Sequence, residues 1–184
     1  MASMVDICSN ALLMLGASPL NAFDEDSDRA RLAANLWPVI RDMVLRSHPW
    51  NCAIKRVQLA PETGKPAFGW QRQFVLPADC LRVLNVANRH EYELEGRFIL
   101  ANAMVLNLRY VFRNEVVGSW DSLLVHAMTA CMRVAFAYPV TEKTTLEQLV
   151  TQTLQPILKQ ARAIDGQENP PETLGNERLY WAGF

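Results

Sequence analysis

The chain has 184 residues, half of them hydrophobic and a fifth charged, with 18 basic side chains against 19 acidic ones. This length and composition suit one globular domain with a real core and room for a small lobe or an arm. A net charge of −1 argues against a nucleic-acid-binding module, which carries a basic excess, although a local basic stripe stays compatible with it.

In chain order, the first segment "SMVDICSNALLMLGASPL" places apolar residues at Val5, Ile7, Leu12, Met14 and Leu15. Ser3 can cap its start and Gly16 can close it, which predicts a helix over residues 3–16. An acidic loop, "NAFDEDSD", follows and offers Asp26 or Ser27 as the cap of a second helix over 27–48. Leu32, Leu36, Val39, Ile40, Met43 and Val44 give that helix its apolar spacing, and Pro38 is expected to kink it. Residues 52–113 change period into short β-branched and aromatic runs split by Pro, Gly, Asn and Asp, which predicts a small antiparallel sheet inserted between helices. Within it, Glu95 and Gly96 mark a hairpin turn, and "APETGKPAFGW" is a long loop rich in turn residues. Helical spacing returns over 119–138, capped by Ser119 and apolar on most of its circumference, and again over 141–165, where Pro156 is expected to interrupt and Gly166 to end the helix. The fold class is therefore α+β and mainly helical: a bundle of about four helices with an inserted sheet. Residues 1–166 form one domain and 167–184 an extended C-terminal arm.

The arm ends on "RLYWAGF", which sets Leu179, Tyr180, Trp181 and Phe184 beyond a polar spacer containing Gly166 and Pro170-Pro171. Large rings gain nothing at a frayed end, so the tail either folds back over its own domain or meets another molecule. Cys8, Cys52, Cys80 and Cys131 have no zinc spacing and read as reduced structural thiols. His48, His90 and His126 fall in three separate elements, and His126 on its apolar helix reads as a core or interface residue. The run Asp24, Glu25, Asp26, Asp28 lacks the glycine turn and closing Glu of a calcium loop and reads as solvated caps. No nucleophile elbow, phosphate loop or dinucleotide fingerprint occurs, so neither catalytic residues, metal ligands nor a cofactor are expected. Neither a signal peptide nor a run of roughly 18 apolar residues is expected to direct the chain into a membrane.

The best-defined motif is "VIRDMVLRSHPWNCA", residues 39–53. Arg41, Asp42 and Arg46 stand at spacings that allow charge pairs along a helix. Pro49 forces His48 out of helical geometry, and Trp50 then opens the next segment as a bulky anchor. Read alone, these residues make a helix-to-strand joint stapled by a buried Trp.

"CSNALLMLGASPL" followed by "FDEDSDRARLAANLWPVIRDMVLRSHPWNCA" resembles the head–tail adaptor proteins of tailed bacteriophages, in particular the tail tubular protein A group of short-tailed phages. The resemblance spans about residues 4–60 and is most specific at Leu15-Gly16-Ala17 with Pro19, at Arg41-Asp42, and at Ser47 to Asn51 with Ala53. Cys52 stands where many relatives carry an aromatic residue. The resemblance implies a homo-dodecameric ring beneath the portal protein, helices side by side around a channel that passes double-stranded DNA, and no catalysis. It implies that Leu179, Tyr180, Trp181 and Phe184 bind the portal. The loop carrying Glu62, Lys65, Phe68 and Trp70 would face the next tail component, whether nozzle, stopper or tail tube. It also implies a virion protein made in the host cytoplasm, with no membrane partner. Two other classes stay in view: a DNA-packaging or nucleic-acid-binding accessory protein, and a small-molecule enzyme on an α+β fold.

Overall fold

The computed structural model describes residues 2–87 and 91–168. Among the described residues there are four α-helices: α1 (Met4–Leu13), α2 (Asp28–Ser47), α3 (Ser122–Thr141) and α4 (Thr144–Glu168). Between α2 and α3 lie six strands: β1 (Ile54–Leu59), β2 (Arg72–Val75), β3 (Cys80–Val86), β4 (Tyr92–Glu95), β5 (Phe98–Ala101) and β6 (Leu106–Phe112). The expected α+β fold is present. The inserted part, however, is two three-stranded antiparallel sheets, ordered β1-β6-β3 and β2-β5-β4, where one was expected. Residues such as Phe74 and Ile99 from one sheet and Leu106, Leu108 and Tyr110 from the other share a second core, so the strands bury their apolar faces against each other.

The helix boundaries follow local hydrogen bonding. Ser3 and Asp6 form a capping box at α1, and Gly16 takes φ +79° in the turn after it, so the helix stops before the predicted residue 16. Ser27 caps α2 through the Ala30 amide. The predicted Ser119 cap is corrected to Asp121, whose Oδ1 accepts from the amides of Leu123 at 2.6 Å and Leu124 at 3.3 Å. Ser119 lies in a short 3-10 turn and its hydroxyl is already used by Asn114 and Val116.

Three prolines sit inside helices that continue through them: Pro38 in α2, Pro139 in α3 and Pro156 in α4. Pro156 therefore does not interrupt α4 and Gly166 does not end it. Pro38 and Pro156 are exposed, as are Ala34 and Gln152, whose carbonyls lose a helical donor and face water instead. Likewise α3 passes Pro139 and ends at Glu142, which takes a left-handed conformation at φ 56°.

α3 is the central helix and packs against α1, α2 and α4. Its composition is apolar enough to cross a membrane (mean hydropathy 1.4), yet half of that window is buried among the other helices. The main core gathers Ile7, Leu12, Trp37, Leu45, Met128 and Phe136 from the first three helices, with Leu158 and Ala161 from α4. Trp37 stacks on Trp120 at 6.1 Å, and Phe23 meets Trp37 edge-on at 6.4 Å. Cys8 and Cys131 are buried, and burial pushes their thiols up to about 12 and about 11, the behaviour of packing residues.

Candidate functional site

The motif at the end of α2 is built around the carbonyls that a helix leaves unpaired in its last turn. Pro49 prevents continuation, so His48 turns to extended geometry (φ −145°, ψ 148°) and the chain reverses toward β1. Trp50 folds back, fully buried, and donates its indole N–H to the Val44 carbonyl at 2.9 Å. Ser47 donates its hydroxyl to the same carbonyl at 2.7 Å. Arg82 on β3 donates to the carbonyl of Arg46 at 3.1 Å, and Arg46 returns a bond to the Leu81 carbonyl. The expected Asp42–Arg46 charge pair is therefore not formed, because the Arg46 side chain is drawn onto β3.

The same elbow grips the last turns of α4. Asp165, only 6% exposed, accepts the Asn51 amide N–H at 3.0 Å on Oδ1 and faces His48 Nε2 at 3.0 Å with Oδ2. A carboxylate can only accept, so the ring carries its proton on Nε2. Asn51 Nδ2 donates at 2.9 Å to the carbonyl of Asp165, one of the last four of α4 and so otherwise without a helical donor. Arg162 adds a bond to Ser47 Oγ at 3.1 Å. Burial holds the His48 imidazole below its ordinary pKa. The Asp165 carboxylate pulls the other way without reversing this, and the charges of Arg162 and Arg82 reinforce it.

A second network ties α2 to the strand leaving the sheet. Arg41, 8% exposed, pairs with Asp42 at 2.9 Å and with Glu115 at 3.0 Å, while Arg113 reaches Asp42 at 2.8 Å. Buried Asn114 donates to the Cys52 carbonyl at 2.7 Å and accepts the Val116 amide at 3.0 Å. Arg41, Asp42, His48, Pro49 and Trp50 thus belong to one joint. Sequence reasoning missed Asp165, Arg113, Asn114 and Glu115. The Asp165 signal was legible: an acidic residue stands on the apolar stripe of Leu154, Leu158 and Ala161, where a buried partner is required.

The other candidate residues are dispersed. In the loop after β1, Glu62 donates its amide to the Gln73 carbonyl at 2.8 Å, and Trp70 donates its indole N–H to Glu93 at 2.9 Å. Lys65 is exposed, and Phe68 is 88% exposed with no apolar cover. Leu179, Tyr180, Trp181 and Phe184 lie outside the described residues, as does His90. Gln167 and Glu168, predicted to begin the arm, are the last residues of α4.

His126 is exposed, which removes the core half of its expected core-or-interface role. It lines a groove across α1, α3 and α4 with Leu13, Met14, Val125, Thr129 and Ile157. Leu13 and Met14 are 53% and 51% exposed there. A separate apolar face on α2 exposes Val39 at 67% and Met43 at 57%.

In the acidic loop, Glu25 accepts from the Asn21 amide and the Ser27 hydroxyl, and Asp26 and Asp28 hold Arg31. Among the described residues, no three His, Cys, Asp or Glu side chains gather as a metal site would require. No family model matches the chain, and no curated protein matches its sequence.

Proposed function

We propose that this chain is a structural head–tail adaptor of a tailed bacteriophage, a non-catalytic subunit of a ring that joins the portal to the tail and leaves a channel for DNA. The observation that carries the reading is the joint. Within Ser47 to Asn51, where the resemblance to the adaptor family is sharp, Ser47, His48 and Asn51 clamp the last turns of α4, while Arg41-Asp42 ties α2 to Arg113 and Glu115. The clamp fixes the last turns of α4, from which a tail carrying Leu179, Tyr180, Trp181 and Phe184 would depart. An adaptor whose tail must reach a neighbouring ring needs such a rigid departure point, since a tethered segment binds best when its anchor sets its reach. Trp and Tyr are frequent interface anchors, and an extended tail that orders on binding gains avidity when many copies act together.

Two further features support assembly. The α1–α3–α4 groove and the Val39–Met43 face of α2 are apolar and share no residue, as a head-to-tail ring requires of its two contact surfaces. The exposed Phe68 loop suits contact with the next tail component.

Counting copies of this chain in an intact virion by electron microscopy tests the reading. A ring between portal and tail is expected; scattered or single copies end it. Removing residues 178–184 is expected to abolish portal binding while leaving the melting temperature nearly unchanged. A large fall in melting temperature with portal binding retained would make the tail part of its own core.

A further inference from the structure

Two small sheets have four edge strands, and an edge strand presents unpaired backbone groups that proteins normally cover. Two of the four are covered. The loop residue Glu62 bonds to Gln73 on β2. Arg46 and Arg97 take the carbonyls of Leu81 and Cys80 on β3. β1 and β4 differ: among the described residues, neither makes a backbone hydrogen bond except to its single sheet neighbour, β6 or β5.

The two open edges carry opposite charge. Glu93 and Glu95 on β4 and Glu91 just before it are exposed, with Glu93 accepting the Trp70 indole N–H. On β1, Arg56 is exposed and stands directly opposite Arg109 of β6, and neither forms an ion pair among the described residues. Like charges at directly opposed positions destabilise a sheet, so this pair lacks an anion.

The faces match as well. Val57 and Leu59 of β1 pack toward the second core, which leaves Arg56 on the other face. On β4, Tyr92 and Leu94 sit opposite Ala101 and Ile99, on the core side, yet they are 37% and 50% exposed at the open edge. Glu93 and Glu95 alternate with them on the outer face.

We propose that β4 of one copy adds to the β1 edge of a second copy as a fourth strand, extending β1-β6-β3 across the subunit boundary. The added strand covers Val57, Leu59, Tyr92 and Leu94 on one face and sets the β4 carboxylates beside Arg56 and Arg109 on the other. Pairing of β4 with β4 is disfavoured because it opposes glutamates, and pairing of β1 with β1 because it brings the arginines together. The contact is therefore heterologous: each copy gives one edge and receives one, which closes a ring or propagates a filament. It deepens the ring reading by naming a lateral contact and depends on it for closure.

Charge reversal in the full-length protein tests this, with self-association read by sedimentation velocity and ring formation by electron microscopy on isolated portal rings. Arg56→Glu is expected to weaken association at least tenfold, and Glu91→Arg with Glu95→Arg to do the same. Combining all three substitutions is expected to restore it, a rescue that a folding defect would not give. If the reversed variants still form rings like the parent, the strand pairing is overturned while the adaptor ring stands. If the parent chain forms no ring on the portal and no oligomer alone, both fall. If Arg56→Glu lowers retention on a duplex-DNA column but leaves assembly intact, the basic face serves nucleic acid and the pairing is again overturned.

Discussion

Asp165 shows how much one buried carboxylate can hold. It accepts the Asn51 amide and the His48 ring while its own carbonyl takes the Asn51 side chain, so loss of the carboxylate leaves half-buried donors unpaired on another element. Asp165→Ala is expected to cost about 2–3 kcal/mol in urea unfolding, the penalty of orphaning charge-assisted partners. Asp165→Asn, which keeps an acceptor for Asn51, is expected to cost less. The His48 ring gives a pH signature of known sign. Its folded pKa lies below the unfolded value of about 6.5, so between the two the unfolded chain binds the extra proton. This contribution is present above about pH 6.5 and is lost as the pH falls through that value toward the folded pKa. The groups facing the ring are Asp165, Arg162 and Arg82, and burial dominates their combined effect. Melting temperature is expected to fall between about pH 7.5 and 5.5 by more in the parent than in His48→Gln, which cannot titrate.

Among the elements, the helix ends were the most readable and the strand arrangement the least. Ser3, Ser27 and Gly16 announce their roles because caps are local chemistry, satisfied within a few residues. Ser119 misled because an acceptor two residues on, Asp121, was better placed once Asn114 had claimed the serine hydroxyl. That competition comes from a strand end five residues upstream and is invisible to a window reading. Pro139 and Pro156 misled for a different reason: a proline costs a helix one hydrogen bond and crowds the carbonyl four residues back, yet both helices continue through it. Division of six strands into two sheets depends on which strand meets which across long separations, and Gln58 already bonds to Asn107, 49 positions away. The end of α3 allows a direct test. Glu142 holds φ 56°, a conformation glycine adopts without penalty. Glu142→Gly is expected to raise stability by about 0.5–1 kcal/mol, seen as a higher urea midpoint with an unchanged slope. A lower midpoint would mean that the Glu142 side chain supports the turn.

For the molecule as a whole, the joint residues were largely visible in the sequence and the surfaces were not. Pro49 and Trp50 stand out in any reading, whereas exposure of Leu13 and Met14 depends on how α1 lies against α3. Their helix is apolar enough that the same residues read equally well as core. If the groove receives a neighbouring copy, Leu13→Asp with Met14→Glu is expected to block ring formation. The melting temperature should change little, because both side chains are already half in water. Unfolding of the variant would return these residues to the core. The joint has a further consequence, for the order in which the chain is made. His48 and Asp165 are 117 positions apart, so the elbow is synthesised well before the residue that clasps it. Until the ribosome has released most of α4, the Asn51 amide has no Asp165 to bind and the surface awaiting Leu158 and Ala161 stays bare. Long-range closure of this kind is slow because a large loop must be restrained before any contact rewards it. α4 therefore acts as a latch: a chain truncated before Asp165 lacks the carboxylate that clasps the elbow and is expected to be cleaved faster by cellular proteases.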